Sequence, residues 1–107
     1  MSELKIASLQ SAQIFDEQKF TKQVLFSTER SIGIVLNFLH GQELPPHPHP
    51  GREVVITVLQ GSGSGRLGKK TFTFSEQDTF HCTGEEELSI TNSGSKPLSI
   101  YVLLYKV

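Results

Sequence analysis

The sequence predicts an all-β domain built as a small antiparallel barrel or sandwich. Apolar and polar residues alternate in short segments from about residue 24 onward, and glycine, asparagine and proline turn signals recur about every 8–12 residues. No long segment has a helical period, which excludes a parallel α/β sheet. A length of 107 residues suits one domain. We expect residues 1–23 to form an N-terminal arm and residues 24–107 to form the barrel.

The N-terminal 23 residues have the least regular pattern. Ser11 is able to cap a short helix that continues to Phe20, whereas residues 5–9 and 20–26 also have the composition of strands. Between these alternatives, we favour an arm in extended conformation.

The strands of the barrel follow from the alternation of side chains. Residues 32–38 place apolar side chains at every even position, so one face of that strand is buried. Residues 54–59 are apolar on both faces, as in a strand that packs on two sides. The glycines between residues 61 and 68 indicate either tight turns at the barrel rim or a strand with glycine kinks. The remaining predicted strands are 71–74, 80–82, 88–91 and 98–105.

Composition restricts the classes of partner and the compartment. Ten basic and eleven acidic residues give a net charge of -1 without a basic cluster, so we expect no nucleic-acid partner. The single cysteine, Cys82, cannot form an intramolecular disulfide and fits a reducing compartment. The first residues lack the apolar run of a signal peptide, and the most apolar stretch, 98–104, is too short to span a bilayer. These features predict a cytoplasmic protein without a membrane partner.

The segment from Gly41 to Gly61 carries a histidine motif. It contains Gly41, five residues, His47-Pro48-His49, three residues and Glu53, followed by seven residues to Gly61. This pattern resembles the first motif of the cupins, with one extra residue before the last glycine. The resemblance extends over roughly residues 30–105 and implies a double-stranded β-helix, that is, a jelly-roll barrel.

The second cupin motif is degenerate in this chain. Gly84 and Asn92 match its turn glycine and its asparagine. The histidine between them falls on Leu88 when counted back from Asn92, and on Glu87 when counted forward from Gly84. The resemblance therefore does not supply the last metal ligand of the family.

The histidine pair predicts a metal half-site in the barrel pocket. His47 and His49 are two residues apart, so on a strand they project from the same face, and paired imidazoles suit a divalent transition metal. The prolines around them stiffen the segment. Glu53 is the candidate third ligand if the strand continues without a bulge, but Val54 takes the inward position if a bulge intervenes. His81 and Glu87 are candidates for a fourth group.

Two functions of different classes remain open at this stage. The resemblance implies a metal-dependent enzyme, of oxygenase or isomerase type, that holds Fe, Mn, Ni or Zn and acts on a small organic substrate. The alternative is a binding or sensor module without metal, in which the histidines form hydrogen bonds to a small-molecule ligand. The sequence slightly favours a metal-capable pocket, and it names neither substrate nor reaction.

The other reactive side chains have plainer interpretations. Alternation along residues 80–82 predicts that His81 faces away from Phe80 and Cys82, toward the surface or an interface. We expect Cys82 to be a partly buried apolar residue and His40 to be exposed at a turn. Because residues 54–59 and 99–105 are apolar on both faces, we also expect a homodimer.

Overall fold

The chain forms nine antiparallel β-strands in the computed structural model, which describes residues 3–107; the first two residues of the predicted arm lie outside the described residues. Within residues 3–107 there is no helix, and hence none of a length and hydropathy that would cross a membrane. The strands are β1 (Thr21–Ser27), β2 (Ser31–Phe38), β3 (Glu43–His47), β4 (Arg52–Gln60), β5 (Gly63–Leu67), β6 (Lys70–Phe74), β7 (Thr79–Thr83), β8 (Leu88–Thr91) and β9 (Leu98–Lys106). The predicted all-β class is confirmed.

The strands form two sheets that face each other across one core. The larger sheet has the order β1-β2-β9-β4-β7, and the smaller sheet has the order β3-β8-β5-β6. In the larger sheet Val102 of β9 lies between Ile34 of β2 and Ile56 of β4, and all three are buried. Burial of each such side chain contributes about 1.5–3 kcal/mol to folding, so these rows hold the sheets together.

The glycine-rich segment contains both a strand and turns: Gly63 and Gly65 lie in β5, whereas Gly61 and Gly68 have φ angles of +84° and +59° at the bend before it and the turn after it. A Cβ atom on Gly65 would lie 2.5 Å from the ring of Phe72, and one on Gly63 would lie 3.0 Å from the ring of Phe74. The two phenylalanines are the partners of these glycines across the β5–β6 pair. The glycines are therefore required because the aromatic rings fold over the backbone of β5.

The segment that leads to the histidines is an edge strand. β3 pairs with β8 on one side only, and its register shifts between Leu44 and His47, where the sequence is Pro45-Pro46. Proline has no N–H to donate, so it is tolerated at a sheet edge and at a bulge. The proline-rich segment is therefore an edge strand of the smaller sheet.

The arm before β1 is held to the barrel by a buried amide. Residues 3–20 contain turns but no strand or helix, so the alternative of a helix from Ser11 is wrong. Asn37 is fully buried; its Nδ2 donates hydrogen bonds to the Ala12 carbonyl at 2.8 Å and to Thr21 Oγ1 at 3.0 Å. Its Oδ1 accepts a hydrogen bond from Ser99 Oγ at 2.7 Å.

Candidate functional site

A cavity of about 500 Å³ lies between the two sheets. Most of its wall is aliphatic and is formed by the inward side chains of β2, β4 and β9 together with Leu88 of β8. The polar residues that line it are Lys22, Ser27, His47, His49 and Arg52. The cavity therefore combines an apolar body with a small group of nitrogen donors.

The two histidines of the motif lie side by side at this cavity. His47 is the last residue of β3, and His49 lies in the turn that leads to β4. Their ring centroids are 4.5 Å apart, and both residues are half-buried. The turn is held to the opposite loop because the backbone N–H of His49 donates to the Gly84 carbonyl at 2.7 Å, and that of Gly84 donates to the Arg52 carbonyl at 2.8 Å.

A backbone contact selects the tautomer of His47. Its Nδ1 lies 3.0 Å from the Pro45 carbonyl oxygen, which can only accept a hydrogen bond, so Nδ1 carries the proton. In the neutral ring, Nε2 is then left as an acceptor or a ligand atom. This is the arrangement in which a histidine can bind a metal or accept a hydrogen bond from a small molecule.

His49 lies in a positively charged environment. Burial lowers the pKa of its imidazole below the ordinary value of 6.5, and the nearby His47, Arg52 and Lys22 lower the pKa further. The neutral form of His49 is therefore favoured at neutral pH. The same effect shows that Arg52 and Lys22 are close enough to act on whatever occupies this part of the cavity.

The structure does not bring Glu53 to the histidine pair, which corrects the expectation of a third ligand there. The backbone turns at residues 50–51, with Gly51 at a φ of +76°, and a separate strand, β4, begins at Arg52. The alternation across this turn is therefore not continuous: Val54 points into the core, and Glu53 points to the opposite face. On that face Glu53 pairs with His81.

The two candidates for a fourth group also lie away from the histidines. The side chain of His81 is 49% exposed and contacts Glu53 on the outer face of the larger sheet, as alternation along β7 predicted. Glu87 is exposed in the loop before β8. Leu88 is buried directly opposite His47 in the β3–β8 pair and lines the cavity. An isobutyl group thus occupies the wall where a third ligand would be needed.

The donor set of the cavity does not fit a protein-bound metal of the two-histidine, one-carboxylate kind. Its lining supplies two imidazoles and no carboxylate, and two cationic side chains stand beside them. Across residues 3–107, no group of three or more histidine, cysteine, aspartate or glutamate side chains is arranged to hold a metal ion.

A second cavity of about 400 Å³ opens between the edge strands β6 and β7. Phe72 and Phe80 meet there edge to face at 5.2 Å between ring centroids, and Phe74 packs against Phe80 at 5.6 Å. Cys82 also lines this cavity, and burial, followed by the charges of Glu53 and Glu86, raises the pKa of its thiol. The thiol is therefore neutral, consistent with the expected packing role.

Comparison with known proteins agrees with the motif at Gly41–Gly61. Residues 34–104 match the family model of the cupin domain. The chain belongs to the cupin family. No curated protein sequence matches this cupin at a significant level.

Solved structures share the cupin fold at low sequence identity. TT1209 from Thermus thermophilus is 20% identical with a TM-score of 0.89, over 96% of this chain and 98% of the other. An RmlC-like cupin from Desulfovibrio desulfuricans is 23% identical with a TM-score of 0.84, over 96% and 97%. A protein from Thermotoga maritima, described as a predicted oxalate decarboxylase, is 19% identical with a TM-score of 0.77, over 82% and 81%. At these identities the likeness concerns the fold.

Sequence reasoning missed two site residues of this cupin, Lys22 and Arg52. Lys22 falls within the segment assigned to the arm, although it shares its parity with Phe20 and Val24, which also line the cavity. Arg52 has the parity of Val54 and Ile56, the inward row of β4. Alternation could thus have indicated that both residues face the cavity. For Arg52, the expectation of a strand continuous from His49 to Glu53 gave the opposite orientation.

Proposed function

We propose that this cupin binds a small organic molecule in the cavity between its sheets, and that binding does not require a metal. The observation that carries the proposal is the cavity itself, about 500 Å³ in volume, with a mostly aliphatic lining and a small set of polar residues that includes the adjacent His47 and His49. Small-molecule sites in proteins are typically about 300–1,000 Å³, mostly apolar, with a few polar groups that orient the ligand.

The histidine pair is proposed to orient this ligand. His47 has its Nδ1 proton engaged by the Pro45 carbonyl, which leaves Nε2 as an acceptor. His49 is held in its neutral form by burial and by its cationic neighbours, which lower its pKa. The two imidazoles offer hydrogen bonds of restricted geometry, because the prolines around them limit the movement of the segment.

Binding can be tested with 1-octanol as a neutral probe, followed by ¹H–¹⁵N NMR chemical-shift changes. Val102→Trp fills the cavity from β9, whereas Leu103→Trp alters the next residue, which faces the other side of the sheet. We expect the wild type and Leu103→Trp to bind 1-octanol, and Val102→Trp to lose binding. If Val102→Trp does not fold, NMR contacts between 1-octanol and the Ile100 methyl protons of the wild type show instead whether the probe lies in the cavity. Equal binding by a folded Val102→Trp would place the site elsewhere.

The metal-dependent alternative keeps one supporting observation, the 4.5 Å separation of the two imidazole rings. In that case a divalent metal would have only His47 and His49 as protein ligands. Elemental analysis of protein purified without chelator tests this alternative for Fe, Mn, Ni and Zn. About one equivalent of metal in the wild type that is lost in His47→Ala/His49→Ala would favour the metal-dependent alternative over metal-free binding. Metal retained by the double variant would exclude the histidine pair as the metal site.

We also propose that the protein is a homodimer in which the arm contacts a second copy. Leu4 and Ile6 are each 85% exposed and lie on the same side of an extended chain. The outer face of the larger sheet adds the apolar side chains of Val55, Tyr101 and Leu103, which are only partly covered. Paired apolar side chains on an extended segment favour docking against a partner surface.

Light scattering tests the dimer against the chain mass of 11.9 kDa. We expect twice that mass for the wild type, and a shift toward monomer for Leu4→Asp/Ile6→Asp, because charges replace the apolar contact. Ser8→Asp/Gln10→Asp is the matched control, since it adds the same charge at exposed polar positions of the arm. A monomer mass for the wild type at high concentration would contradict the proposal.

A further inference from the structure

The cavity concentrates positive charge in a protein whose overall charge is slightly negative. Lys22 and Arg52 both line it, and none of its lining residues is acidic, whereas the whole chain has a net charge of -1. The remaining wall is apolar, aliphatic except for Phe20, apart from Ser27 and the two histidines. The charge of the cavity is thus a local feature that the composition of the chain does not explain.

The two cations reach the cavity from different strands of the larger sheet. Lys22 is an exposed residue of β1 that lines the cavity, and the half-buried Arg52 begins the inward row of β4. Both line the same cavity as His47 and His49, and their charges lower the pKa of the His49 imidazole.

Among residues 3–107, neither cation forms an ion pair with an acidic side chain. The single ion pair found across residues 3–107 joins His81 to Glu53 on the opposite face of β4. A partly buried guanidinium is costly unless it is paired, because burial removes part of its hydration. An anion in the cavity would supply the missing partner.

We infer that the ligand of this cavity is an amphipathic organic oxyanion, with a carboxylate or phosphate head against Arg52, Lys22 and the histidines and an aliphatic body in the cavity. This inference rests on the proposed function and adds the ligand class. A guanidinium presents a planar fork of N–H donors that matches both head groups, and the ammonium of Lys22 adds a second positive charge. The aliphatic wall then excludes water from the body of the ligand.

The same charges discriminate against other ligands. A neutral alcohol would fill the aliphatic part but leave Arg52 and Lys22 without a partner. An alkylammonium ion or a divalent cation would be repelled by both. A ligand series that varies only the charge of the head group therefore separates this inference from the proposed function.

Isothermal titration calorimetry with octanoate, octyl phosphate, 1-octanol and octylammonium provides that series at low ionic strength. We expect at least one of the two anions to bind about tenfold or more tightly than 1-octanol, equivalent to about 1.4 kcal/mol, and octylammonium to bind most weakly. Which anion binds more tightly identifies the head group. The preference should decrease with added salt, since part of it is electrostatic.

Charge-removing variants assign the effect to residues. Arg52→Gln and Lys22→Gln should each lower the ratio of anion affinity to 1-octanol affinity about fivefold or more, and the double variant should abolish the preference. Lys70→Gln is the matched control, because Lys70 is a lysine at the other cavity. Equal affinity for anions and 1-octanol, or a preference that persists in the double variant, would overturn the inference but leave the proposed function intact. Failure of all four compounds to bind would overturn both.

Discussion

The buried side chain of Asn37 joins three parts of the fold, and its replacement by alanine tests that connection. It makes hydrogen bonds to the arm at Ala12, to the start of β1 at Thr21 and to β9 at Ser99. Each is worth about 1 kcal/mol net, so their loss costs about 3 kcal/mol. Alanine also leaves the fully buried Ser99 hydroxyl without this acceptor, so we expect a total loss of about 3–4 kcal/mol.

Urea denaturation followed by circular dichroism measures this loss. Domains of this size are stable by about 5–15 kcal/mol, so Asn37→Ala should still fold, with an unchanged dependence on urea concentration. Ser99→Ala removes one of the three bonds and leaves the buried Asn37 Oδ1 without its donor, so it should cost about 1–3 kcal/mol. Gln23→Ala on the neighbouring strand serves as a control and should change stability by less than about 0.5 kcal/mol. A loss below about 1 kcal/mol for Asn37→Ala would refute the reasoning.

Three further predictions concern the cavity and its surroundings. Leu88→Ala should lower the free energy of unfolding, measured by urea denaturation, by about 2–3 kcal/mol. This is at the low end for a buried leucine, because the Leu88 side chain already borders both cavities. A change near zero would contradict its place in the core. Gly84→Ala should lower the melting temperature by about 10 °C in calorimetry, because its Cβ would collide with the carbonyl of His49; an unchanged value would show that the loop yields freely. The pKa of His49 is lowered in the folded state, so the unfolded chain binds the His49 proton first as the pH falls, and the free energy of unfolding should decrease below about pH 6.5. His49→Gln should flatten this pH dependence. An equal slope in both proteins would exclude His49 as its source.

The fold class and the histidine pair could be predicted from the sequence because both depend on local patterns. Alternation along residues 32–38 and the apolar run at residues 54–59 predicted strands, and β2 and β4 formed over those segments. The spacing of His47 and His49 places two imidazoles close together, and their rings are 4.5 Å apart. The substitution of Leu88 for a ligand could likewise be read by counting from Asn92.

The remainder of the site depends on how the chain turns between sheets. The turn around Gly51 interrupts the alternation, so that Arg52 rather than Glu53 lines the cavity. The sequence left open whether Glu53 or Val54 faces inward, and only the path of the backbone decided for Val54, because parity is defined only within a continuous strand.

The convergence of Lys22 and Arg52 was decided by the tertiary structure alone. Thirty positions separate these residues in the numbering, and they belong to β1 and β4, which occupy different places in the larger sheet. They act on one imidazole because the sheets enclose a common cavity. The sequence thus determined which side chains each strand presents. The pairing of strands and the packing of the two sheets determined which of those side chains share a site. Contacts between distant segments follow from the path of the backbone and not from local periodicity.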